Sequence, residues 1–168
     1  MKTKFNLRLF AVLSAVLFFA LAGCVHYMNP KPGTVAVAQF RIPLSGVGKE
    51  KSVWKGKHLD IAYKIDQKEE QAEISGEVRI HENLLMSFPK LTRLRVKVHF
   101  LDDHGSVLAS AGITPLYSSY SEVTEPLVFH TDTVIPPEAV SIVFSYSGLL
   151  TGQFNEPSEG WDIDFSPF

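Results

Sequence analysis

The 168-residue chain has a single cysteine, which excludes an intrachain disulfide and any multi-cysteine metal site. It lacks an excess of charge of either sign: 16 basic residues stand against 18 acidic ones, a net of −2. A dedicated nucleic-acid binder is more basic than that, so nucleic acid is set aside as a partner. The chain contains no G-x-S-x-G elbow, no H-E-x-x-H pair and no glycine-rich phosphate loop. It also lacks a convincing amphipathic helix. The best stretch is His81–Phe88, two turns at most, ended by Pro89. What the chain has in quantity is apolar residues, 45% of the total. That is far too many for a disordered chain, and the length suits one domain with an appendage.

The appendage is at the N-terminus. Lys2, Lys4 and Arg8 precede an apolar run from Leu9 to Ala22 that only Ser14 interrupts. A charged start, an apolar middle and small residues before a cut site describe a secretory signal peptide. The run closes on Leu21-Ala22-Gly23-Cys24, with the one cysteine of the chain in fourth place. This resembles the lipobox of bacterial lipoproteins. The resemblance implies cleavage after residue 23, palmitate-type diacylation of the Cys24 sulfur and acylation of the new amino group, so that the acyl chains on Cys24 tie the protein to a membrane. An uncleaved membrane helix is the competing reading, and the 17 residues from Leu9 to Val25 lie at the lower edge of a bilayer span. Loss of residues 1–23 removes three basic residues and no acidic ones, leaving 145 residues with a net charge of −5. In the lipoprotein family an Asp after the lipidated cysteine favours the inner membrane. Val25 stands there instead, which implies the outer membrane, facing the periplasm, with the inner membrane and the cell surface as alternatives. Residues 24–33 hold Pro30, Pro32 and Gly33 and read as a tether reaching at most about 30 Å.

From residue 34 to 168 the sequence alternates with period two. Leu59, Ile61, Tyr63 and Ile65 form one apolar row, and Ile74, Gly76, Val78 and Ile80 a second. Leu94, Val96, Val98 and Phe100 form a third, and Val140, Ile142, Phe144 and Tyr146 a fourth. Each alternates with polar residues, giving one face for a core and one for water. Thr34–Ile42, Ser106–Ile113 and Pro126–Thr131 are weaker strands, and Trp161–Phe165 alternates as an eighth. Seven or eight such strands predict an all-β fold, an immunoglobulin- or fibronectin-like antiparallel β-sandwich. A transmembrane barrel needs an apolar outer band, and the outward rows here are charged. The stretch Val98-His99-Phe100-Leu101-Asp102-Asp103-His104-Gly105 resembles the strand-then-turn motif of small secreted sandwich domains of the FxLYD type.

Chemistry-bearing candidates are few. Asp102, Asp103 and His104 before Gly105 read as turn residues ahead of metal ligands, and no metal or other cofactor is expected. Arg93, Arg95, Lys97 and His99 share an outward face, expected to pair across the sheet with Glu73 and Glu77 rather than to bind an anionic partner. If strands reverse direction from Thr34 onward, Gln67–Gln71, Asp103–Gly105 and Asp132–Ala139 lie near the anchor. Leu44–Gly56, Glu82–Lys90, Thr114–Glu125 and Gly148–Gly160 then lie at the far pole. These long loops carry Trp54, Phe88, Tyr117, Tyr120 and Phe154, the candidate partner-binding residues, with a core-plugging role as the alternative. The expected function is non-catalytic binding or scaffolding of an envelope protein or glycan. An accessory role in envelope assembly or secretion comes second, and an envelope hydrolase is disfavoured for want of a motif.

Overall fold

The computed structural model describes residues 28–46, 51–68, 71–113, 121–123, 126–152 and 160–168. Its strands are β1 (Ile42–Pro43), β2 (Ser52–Lys55), β3 (Leu59–Lys68), β4 (Gln71–Ile80) and β5 (Lys90–Leu101), followed by β6 (Val107–Gly112), β7 (Ser121–Glu122), β8 (Leu127–Val134), β9 (Ser141–Thr151) and β10 (Gly160–Phe165). One helical turn, α1 (Glu82–Leu85), joins β4 to β5. Two antiparallel sheets pack face to face as a β-sandwich. In sheet I, β9 and β5 are central. β1 and β10 share the outer side of β9, and β6 and β7 share the outer side of β5. Sheet II runs β2-β3-β4-β8.

The alternation accounts for the core. Leu94, Val96, Val98 and Phe100 are buried on the inner face of β5. Val98 lies beside Phe144 and Phe100 beside Ile142 on β9, while Arg93 and Arg95 point to water. From sheet II, Leu59, Ile61, Tyr63, Ile74 and Val78 close the other side, and the Tyr63 and Phe144 rings meet at 5.1 Å. Each such side chain contributes roughly 1.5–3 kcal/mol on burial. Gly76 is what allows β3 and β4 to approach: a methyl at its Cα would collide with the Ala62 carbonyl oxygen and the Tyr63 Cα.

Several expectations change. Thr34–Ile42 is not a strand. It contains an isolated bridge at Val35 and a 3-10 turn over Ala38–Phe40, because its apolar residues cap a surface instead of lining one face of a ladder. Ser52–Lys55, expected as loop, is β2. The basic row of β5 does not pair with Glu73 and Glu77, because the α1 connection carries the chain from sheet II to sheet I between them. Glu77 bonds Lys51 and Arg79 instead, at 3.0 and 2.9 Å.

The largest change concerns the outward face of sheet I. The N-terminal segment lies on it: the Gly33 amide donates to the Val107 carbonyl, Ala36 to that of Gly105, and Val37 to that of Pro167. Ala36, Leu101, Val107 and Val143, with Phe40 and Phe168, form a second small core there. His99 is outward on β5, yet it is fully buried. Phe168 packs edge-on against its ring at 5.0 Å, and the Ser110 and Ser145 hydroxyls each lie 2.7 Å from a ring nitrogen.

Candidate functional site

The strand registers sort the connections into two ends. Lys90, Glu122, Thr151 and Gly160 come together at one end of sheet I, and Leu101, Ser141 and Ile42 mark the other. In sheet II the Lys55–Leu59 turn and Ile80 lie at the first end, and Lys68, Gln71 and Val134 at the second. Three of the four long loops therefore start or finish at one end, as the alternation of strand direction implies. The fourth, Leu44–Gly56, only finishes there. It leaves β1 beside Ser141, at the opposite end, and forms β2 before reaching Gly56.

At the end shared by the long loops, β10 places Trp161, Ile163 and Phe165 on the inward face, opposite Leu150, Gly148 and Tyr146. Ile163 and Phe165 enter the core. Trp161 occupies the last rungs and remains 47% exposed. Phe88, half-buried after α1, lies against it with ring centroids 5.7 Å apart. Met86, in the same turn, is 87% exposed. These three side chains form an apolar rim over the mouth of the sandwich.

Beneath the rim lies a polar pair. The Tyr146 hydroxyl accepts the His58 backbone N–H at 3.1 Å and lies in hydrogen-bond reach of His58 Nδ1 at 3.0 Å. Burial, reinforced by the Lys57 charge, lowers the His58 pKa. Burial pushes the Tyr146 phenol up to about 12. Nearby, His81 bonds Asp60 at 3.2 Å, which ties the start of α1 to β3.

Of the two described residues expected to bind a partner, Trp54 and Phe88, Phe88 is placed at this surface. Trp54 is a correction. It is 8% exposed and packs against Phe144, Tyr146 and Phe165 at 5.4–6.1 Å between ring centroids. The cause is its position in β2, where alternation turns Val53 and Lys55 outward and Trp54 inward. Tyr117, Tyr120, Phe154 and the lipidation candidate Cys24 lie outside the described residues. Trp161 and Met86 were missed as surface residues. The alternation of β10 fixes which way Trp161 points, but not how much of the ring is covered.

Two metal readings have structural answers. Asp102 Oδ1 accepts the Ser106 amide at 2.7 Å, and Gly105 takes a φ of 83°, so Asp102 and Gly105 build the β5–β6 turn. On the outer face of sheet II, Glu73, His130 and Asp132 bring ligand-type atoms within 4.8 Å of one another at an exposed position. There His130 already pairs with Glu73 at 3.5 Å and with Asp132 at 4.0 Å. His99 between its two serines has the outline of a relay. Burial drops its pKa to about 4, which leaves it a poor general base. Among the described residues, no helix is long and apolar enough to cross a membrane, and the apolar run of residues 9–22 lies outside them. No protein-family model, curated protein or solved structure matches this chain.

Proposed function

We propose that this is a lipid-anchored envelope lipoprotein whose β-sandwich binds or scaffolds a partner without catalysis. The lipobox-like Leu21-Ala22-Gly23-Cys24 supports the anchor, with the outer membrane facing the periplasm as its place. The observation that carries the binding reading is the Met86–Phe88–Trp161 rim. It sets apolar side chains, with Met86 and Trp161 exposed, at the end where three of the long connections start or finish. A peptide or glycan surface of an envelope component is the partner that such a rim fits. Enzymatic readings would need a nucleophile, a base and an oriented partner in one place, and the buried His99 pair supplies none of these in an accessible form.

Two experiments separate the anchor from the site. Cys24→Ser should release the chain from membranes or leave it unprocessed; retention with cleavage at the same place would remove the lipoprotein reading. A photo-crosslinking side chain at position 86 should trap a defined envelope component, while the same group at Val53, exposed on the outer face of sheet II, should not. Equal labelling from both positions, or none from either, would remove the rim as the binding site.

A further inference from the structure

Sheet edges are ready templates for pairing, and proteins usually blunt them with lysine, proline, a bulge or shortness. Three of the four sides here are guarded in this way. β2 is four residues long, follows Lys51 and ends on Lys55. β6 has a register shift beside it at Phe100/Leu101, and its start is covered by Thr34 and Val35. β10 carries Asp162 and Asp164 outward. β8 is different. It runs eight residues, Leu127–Val134, with no proline, no lysine and no shift in its register with β4. Among the described residues nothing pairs with its other edge. Its outward side chains are Val128, His130, Asp132 and Val134, and the two valines are 77% and 59% exposed.

That row is self-complementary in one register. Directly opposed residues in an antiparallel pair are of the same hydrogen-bonding kind, so two copies of one strand can pair only about a residue. Centring on His130 sets histidine against histidine and Val128 against Asp132. Centring on Asp132 opposes two carboxylates. Centring on Thr131 sets Val128 against Val134 of the other copy and His130 against Asp132, each twice by symmetry. Apolar cross-strand pairs stabilise a sheet, as do opposite charges, which His130 and Asp132 supply when the imidazole is protonated, and this is the isologous pattern of a two-fold dimer.

We propose that β8 is a dimerisation edge: two copies of this chain pair antiparallel about Thr131 and join their β2-β3-β4-β8 sheets into one continuous sheet. The two-fold axis stands normal to that sheet, so sheet I of each copy lies on the same side. Asn29 lies against Lys97 on the outward face of sheet I. Both N-terminal segments thus leave from one side of the dimer, which suits two anchors in one membrane. The dimer itself does not depend on the anchor or on the aromatic rim.

The test uses the full chain in its native membranes, with Cys24 present throughout as background. Chains carrying Val128→Cys and chains carrying Val134→Cys are co-expressed and mildly oxidised. Opposed Cα atoms in an antiparallel pair lie about 4.5–5.5 Å apart, within reach of a disulfide. The mixed pair should crosslink at least tenfold more than either variant alone. His130→Asp should abolish that crosslink by opposing carboxylates, and the exchange His130→Asp with Asp132→His should restore it. Equal crosslinking in mixed and single-variant samples, an unchanged yield with His130→Asp, or no crosslink at any expression level would overturn the dimer.

Discussion

His99 sits wholly inside the protein between two serine hydroxyls, with its acidity shifted by burial and, to a lesser degree, by Lys97. Its pKa falls from 6.5 to about 4. The unfolded chain therefore takes up a proton near pH 6.5 that the folded protein refuses until about pH 4. Stability is fully present above pH 6.5 and is lost as the pH falls toward 4, by roughly 3 kcal/mol in total. His58, also lowered by burial, pulls in the same direction. Urea midpoints of the His99→Gln variant should accordingly fall less between pH 6.5 and 4 than those of the wild type; parallel curves would show that His99 is not the titrating group. Phe100, fully buried on β5, belongs to the other class of residue, whose effect is volume. Phe100→Ala should cost about 3–5 kcal/mol in equilibrium unfolding, and a loss under 1 kcal/mol would place the ring outside the core. The Phe100 row is legible in the sequence because strict alternation declares it. The burial of His99 is not, because an outward histidine reads as solvated unless something else covers the face.

At the scale of elements, sequence and structure agree where a strand carries its own two-faced pattern. β3, β4, β5, β8 and β9 are present, and the α-helical turn Glu82–Leu85 falls inside the expected His81–Phe88 stretch. They part where a segment lacks alternation of its own. β2 is four residues long and is a strand only because Val53 and Trp54 find Ala62 and Ile61 beside them. The β3–β4 pair offers a direct test of close packing. Gly76→Ala would drive a methyl into the Ala62 carbonyl and should cost about 1–3 kcal/mol. Gly112→Ala on β6 meets open space and should be nearly neutral. Similar losses for the two variants in urea denaturation would mean that backbone freedom, not crowding, governs both positions.

At the scale of the whole molecule, the first described residues and the C-terminal tail are structural parts of the sandwich. The segment from Gly33 to Arg41 and the tail ending at Phe168 cover the same outward face of sheet I, linked by the Val37–Pro167 hydrogen bond. Arg41 reaches back to the Ala36 carbonyl with two nitrogens, at 3.1 and 2.7 Å, and lies over Gly105. Gly33, expected to lie in a tether, is already bonded to β6 through the Val107 carbonyl. Phe168→Ala should open the His99 ring to water, and its NMR titration should move up toward 6.5. An unmoved titration would mean that Ser110, Ser145 and the N-terminal segment seal His99 without the tail.

The sequence by itself determined the all-β class, the inward rows of the long strands and the turn at Asp102–Gly105. Each of these follows from local alternation or from the conformational tastes of single residues. It also carries the lipobox-like start, which is a linear signal. Only the tertiary structure decided that Trp54 is core, that Trp161 is rim, that β4 and β5 belong to different sheets and that His99 is enclosed. Each depends on what a distant segment lays against a face, and alternation states which way a side chain points without stating what it meets there.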